Sequence, residues 1–253
     1  MRRVLTVLAT TALIALVLPA SAHANHAWNG YHWARMANPF TLMVGDNVDS
    51  SWDAYFDTAV ADWTQSTVLN LNEVVGQAKG KNCRPTSGRV EVCNRAYGNN
   101  GWLGIAQIWI DNQQHITQGT TRVNDTYMTV APYNTAPWHR LVMCQEVGHT
   151  LGLDHQDENF NNSNLGTCMD YTNDPDGPPS NEHPNQHDYD QLVTIYSHLD
   201  SYTTVGAAAA APASQALNER ASWGREVAHS GRSSTFERSL GNGAKVITYV
   251  IWA

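Results

Sequence analysis

The segment 137–155 constrains the fold of this chain more than any other. Pro137 has the fixed φ of a first helical residue, and a helix can run over 137–151. Gly152 stops it, because a residue without Cβ takes the positive φ that ends a helix. Gln145 and His149 stand four apart, so at 3.6 residues per turn they share a face. The turn at Gly152 can carry His155 back toward the same point, beside the Glu146 carboxylate. Three donor side chains then converge with a base next to them. Zinc hydrolase sites need this set: three protein ligands, an open position for water, and a carboxylate to take its proton.

The flanking sequence supplies a scaffold of both structure types. Stretches 31–44, 68–75, 90–93, 105–110 and 115–123 read as strands, with Pro39 interrupting the first. Trp52, Tyr55, Phe56, Ala59, Val60 and Trp63 follow helical spacing, with Asp49 or Ser50 as the cap. A last helix is expected over 188–199, and 245–252 is strand-like. The order of elements predicts an α+β domain. Segment 204–216 is an Ala/Pro linker, which divides a main domain, 25–203, from a C-terminal appendage, 217–253. That appendage can pack on the main domain, bind substrate or be trimmed away.

Residues 1–24 read as a secretory signal: Arg2 and Arg3, an apolar run, Pro19, and the small-x-small Ala22-His23-Ala24. The apolar run is short for a membrane span, so a secreted, extracellular product without a membrane anchor is expected. In an oxidising compartment the four cysteines suggest two disulfides. Three pairings are possible. Sequence proximity favours Cys83–Cys93, across a hairpin-like stretch, and Cys144–Cys168. The 15 basic residues against 23 acidic ones leave no basic cluster for phosphate, which argues against a nucleic-acid partner.

The stretch from Gln145 resembles the metzincin signature HExxHxxGxxH, with its glutamate, second histidine, glycine and third histidine at Glu146, His149, Gly152 and His155. Gly148, Leu151, Leu153 and Asp154 are matrixin-like. Gly166-Thr167-Cys168-Met169-Asp170-Tyr171 is similar to the Met-turn below the metal in that family. The resemblance implies a twisted mixed sheet, a backing helix, an active-site helix, a Met-turn and a C-terminal helix. It implies a secreted zinc endopeptidase, with His149 and His155 as Zn2+ ligands, Gln145 at the third ligand position, Glu146 as general base, and Tyr171 as a hydrogen-bond donor to the transition state. A protein or peptide would be the substrate and a monomer the working unit.

The chain departs from the signature at its first histidine, which is Gln145. A glutamine amide oxygen reaches about as far as an imidazole nitrogen but is a harder, neutral ligand. Three outcomes stay open. Gln145 ligates zinc weakly; His183 or His187 supplies the missing ligand; or the metal is lost, leaving a catalytically impaired peptide-binding protein. A site without chemistry has no need of Glu146, which favours the first two. His139 falls on another helix face, and His115 in a strand reads as structural. An edge strand above the cleft, 101–110 or 115–123, would bind extended substrate by backbone pairing. The Asp/Asn-rich loops 154–164 and 170–176 can bind calcium, although turn formation explains them more cheaply.

Overall fold

The computed structural model describes residues 25–78, 82–206 and 217–253. The expected signal and most of the expected linker lie outside these residues. Among the described residues the architecture is α+β, with nine strands in one mixed sheet and four α-helices. Among the described residues no helix is long and apolar enough to cross a membrane.

The strands are β1 (His32–Trp33), β2 (Phe40–Asn47), β3 (Leu69–Val75), β4 (Arg89–Arg95), β5 (Trp102–Ile110), β6 (His115–Asn124), β7 (Arg225–Ser230), β8 (Ser233–Gly241) and β9 (Ala244–Trp252). Their order is β3-β2-β4-β6-β5-β9-β8-β7, with β1 pairing β6 off this path. Strands β2, β3, β4 and β6 run parallel, and every pairing from β6 through β5 to β7 is antiparallel. Pro39, which has no N–H to give a ladder, lies between β1 and β2, in keeping with the interruption expected in 31–44.

The helices are α1 (Asp53–Trp63), α2 (Asp125–Met128), α3 (Ala136–Thr150) and α4 (Gln186–Ile195). Helix α1 starts without a side-chain cap: Trp52 is its N-cap residue, and neither Asp49 nor Ser50 caps it as expected. The Asp49 carboxylate instead accepts from the Ser51 and Asn94 side chains. Helix α4 starts earlier than 188, because Asn185 and Asp188 form a reciprocal capping box, and it ends at Ile195, short of 199. Helix α3 matches expectation, capped by Thr135 with Pro137 in its first turn.

Residues 217–253 contribute three strands that extend the sheet. Strand β9 lies along β5 from the Trp102↔Trp252 pair to the Ile110↔Lys245 pair. Its side chains alternate between two cores, as the period of a strand requires. Ile247, Tyr249 and Ile251 join the main core under α3. Val246 and Val250 join a second cluster with Trp102, Ile105, Trp109, Leu217, Trp223 and Phe236. The expectation of an edge at 101–110 or 115–123 is therefore corrected. Strand β5 sits between β6 and β9, and β6 between β4 and β5, so neither ladder is open.

Candidate metal centre

Helix α3 is fixed on all sides. Trp63 Nε1 donates to the Cys144 carbonyl at 3.0 Å, and Trp33 Nε1 to the Thr150 carbonyl at 2.9 Å. Two glycines let neighbours come close. A Cβ on Gly104 of β5 would stand 2.5 Å from Glu146 Oε1, so glycine there lets the strand lie against the carboxylate. Gly152 has φ +97°, and a Cβ on it would meet the Tyr31 carbonyl at 2.2 Å. The positive-φ turn at Gly152 brings His155 back to His149, with ring centroids 4.5 Å apart and nearly perpendicular.

The disulfides pair Cys83 with Cys93 and Cys144 with Cys168. Strand β4 carries Cys93, and Cys83 lies in the loop before it, so the first bridge does not span a hairpin. The second ties α3 to the turn that carries Met169 and Tyr171. A Cβ on Gly148 would lie 2.7 Å from the Met169 sulfur, which packs under the helix. Tyr171 stacks obliquely on His155, centroids 4.2 Å apart, and on Phe160 at 4.6 Å.

Each donor side chain has one polar atom pinned, and Gln145 and His155 each leave the other without a partner among the described residues. Gln145 Nε2 donates to the Cys168 carbonyl at 2.8 Å, which leaves Oε1 without a partner among the described residues. His149 Nδ1 faces the Leu153 carbonyl at 2.9 Å, so the proton sits on Nδ1 and the lone pair on Nε2. His155 Nδ1 faces Glu158 Oε1 at 3.2 Å, and its Nε2 has no partner. Glu146 Oε2 is likewise buried and unpaired. Buried polar atoms without partners are costly, and a set of them calls for an explanation. A cation supplies one. Partners on the far nitrogen of each histidine, fixing its tautomer, are the outer shell that metal ligands use. The donor set Gln145, His149 and His155 thus fits Zn2+, with the amide oxygen its weakest member.

Burial dominates the electrostatics. It pushes the Glu146 carboxyl well above the usual carboxylate range, against the pull of the Arg122 guanidinium. It holds His149 well below the ordinary imidazole value, helped by His155. It raises the Tyr171 phenol well above its usual range, against a hydrogen bond with Ser233 of β8.

His183 and His187 are placed elsewhere. His183 Nδ1 pairs with Asp62 at 2.6 Å, and His187 stacks on His26. His139 stacks on Tyr55, away from the centre. In the Asp/Asn-rich loops, Asp157 Oδ1 accepts from the Asn159 amide, Asn159 Oδ1 from the Asn161 amide, and Asp170 Oδ2 from the Leu165 amide. These carboxylates and amides serve as turn formers.

The sequence reading missed Tyr249. Its ring lies flat on His149, centroids 4.1 Å apart and planes 2° from parallel. Arg122 anchors the same segment from β6, donating to Asn218 Oδ1 at 2.7 Å and to the Leu217 carbonyl at 3.3 Å. With Tyr249 in place the centre is enclosed: Gln145 is 0% exposed, Glu146 and His149 1%, Tyr171 2% and His155 8%. Lys245 to Trp252 was legible as a strand, but nothing local told which strand it would pair with.

No protein-family model and no curated protein matches the chain. Among solved structures it is similar to high choriolytic enzyme 1, a hatching enzyme zinc-protease from the medaka fish Oryzias latipes. The two share 11% identity over 66% of this chain and 94% of that chain, with a TM-score of 0.36. At that score the likeness bears on neither the centre nor its chemistry.

Proposed function

We propose that the chain is a secreted, metzincin-type zinc endopeptidase whose centre is closed by its own C-terminal strands. The carrying observation is the set of buried, unpaired ligand atoms, Gln145 Oε1 and His155 Nε2, aligned with His149 on one helix–turn unit. Zn2+ held by Gln145, His149 and His155 would supply Lewis acidity toward water and a peptide carbonyl. Glu146 takes a proton from the attacking water and passes it to the leaving amine. The burial that raises its carboxyl suits a group that must both accept and return a proton. Tyr171, in ring contact with His155, donates a hydrogen bond to the oxyanion that develops at the carbonyl. An extended peptide would pair with β5, which requires β9 to leave.

The alternative, a catalytically impaired peptide-binding protein, needs the same β5 edge, and β9 holds it. The closed sheet therefore favours neither reading by its edge, and the unpaired Glu146 Oε2 favours the peptidase. The test is Glu146→Gln in the zinc-loaded protein. Peptide cleavage should vanish while zinc content and Tm hold. Undiminished cleavage by that variant would overturn the proposal.

A further inference from the structure

Outside the α3 centre, three histidines meet at one carboxylate oxygen. His32 belongs to β1, His115 opens β6 directly opposite it, and His198 and Asp200 follow α4. Asp200 Oδ1 lies 3.5 Å from His32 Nε2, 3.2 Å from His115 Nε2 and 3.7 Å from His198 Nε2. His198 Nε2 lies 3.2 Å from His32 Nε2. Tetrahedral ligands about 2.0–2.1 Å from a zinc ion stand roughly 3.3–3.5 Å apart. These four of the six ligand separations scatter around that value, and the ligand atoms of His32, His115 and Asp200 all lie within 4.8 Å of one another.

The proton inventory says what lies between them. His32 Nδ1 faces the Gly30 carbonyl at 2.7 Å, which only accepts, so Nδ1 carries the proton. The Tyr202 hydroxyl lies 2.9 Å from Asp111 Oδ2 and 2.6 Å from His115 Nδ1, and holds that side of the His115 ring. His32 therefore turns its Nε2 lone pair toward Asp200 Oδ1, itself an acceptor, and toward His198 Nε2, with His115 Nε2 at the same oxygen. The other Asp200 oxygen is already committed to Arg35, through its guanidinium at 2.8 Å and its backbone amide at 3.1 Å. Converging lone pairs repel unless protons or a cation lie among them. A divalent cation resolves the whole arrangement, with the far nitrogens of His32 and His115 already pinned in the manner of metal ligands.

We propose that His32, His115, His198 and Asp200 form a structural Zn2+ site. His32 and His115 are buried, while His198 is exposed and leaves a path for the ion. The site joins three segments distant in sequence and braces the helix–turn unit from below. Next to His32, the Tyr31 carbonyl sits against Gly152 and Trp33 bonds the end of α3. Four ligands without an open position suit a structural ion. This proposal does not rest on the peptidase reading.

The test is metal content of purified full-length protein after zinc loading and removal of loose metal. His149→Ala/His155→Ala disables the α3 centre and should retain one zinc per chain. Adding His198→Ala and Asp200→Asn should bring it below about a tenth of a zinc. In the His149→Ala/His155→Ala background, zinc at 100-fold over Kd should raise Tm by about 5–10 °C, and adding His198→Ala, at an exposed position, should remove most of that rise. If the α3 double variant does not fold, zinc per chain in His198→Ala/Asp200→Asn against the unaltered protein decides, the expected change being a loss of one. A folded α3 double variant without zinc, or zinc content and Tm indifferent to His198 and Asp200, would overturn the site.

Discussion

Tyr249 lies face to face with His149, and its hydroxyl is buried without a partner among the described residues. The ring therefore contributes packing, and the hydroxyl contributes a desolvation cost of about 1–3 kcal/mol. Tyr249→Phe keeps the stack and removes the cost. Thermal unfolding should show an unchanged or raised Tm. A loss above about 1 kcal/mol would mean that the hydroxyl has a stabilising partner.

Gly104→Ala should act on the centre through β5. The added methyl would meet Glu146 Oε1 at 2.5 Å and Val142 Cγ1 at 2.7 Å. Overpacking of that kind costs about 1–3 kcal/mol. Denaturant unfolding should show that loss, and cleavage should fall further than stability alone explains, because the carboxylate is displaced.

Removing the Cys144–Cys168 bridge should loosen the turn carrying Met169 and Tyr171 from α3. The cysteines are 24 residues apart. Chain entropy alone gives about 3 kcal/mol for a loop of that size. The Cys144→Ala/Cys168→Ala variant should lose about that much by denaturant titration. An unchanged midpoint would show that packing under Gly148 holds the turn by itself.

Gln145→His should tighten zinc at the α3 centre. Imidazole suits zinc better than an amide oxygen. Chelator competition in a His198→Ala/Asp200→Asn background, which removes the second site, should show at least about tenfold tighter binding, roughly 1.4 kcal/mol. Equal affinity would mean that residue 145 does not reach the metal.

The local parts of this protein were legible in its sequence. Residues Gln145 to His155 carry their geometry in their spacing, since helix period and a glycine turn suffice to bring His149 to His155. The cysteine pairings followed from proximity, and most strands from their apolar runs. Non-local pairing was not legible. Strand β9 reads as a strand, yet only the shared core of Ile247, Tyr249 and Ile251 under α3 decides that β5 is its partner. The caps of α1 were misread because Asp49 finds Asn94 and Ser51 instead, and Asn94 comes from a different strand. His32, His115, His198 and Asp200 follow no local motif, and their meeting depends on the parallel β1–β6 register and the path after α4.

The central claim is a Glu146-dependent peptidase centre closed by Tyr249 and β9. It is tested most directly by casein cleavage with zinc-loaded protein, comparing the unaltered chain, Tyr249→Gly, and Tyr249→Gly/Glu146→Gln. Deleting the buried ring costs about 3–5 kcal/mol of packing, so folding is verified by circular dichroism at the assay temperature. Opening the centre should raise the cleavage rate at least about tenfold, equivalent to roughly 1.4 kcal/mol, and Glu146→Gln should abolish it. Folded, zinc-loaded Tyr249→Gly that cleaves no faster than the unaltered chain, or cleavage that survives Glu146→Gln, would contradict the account.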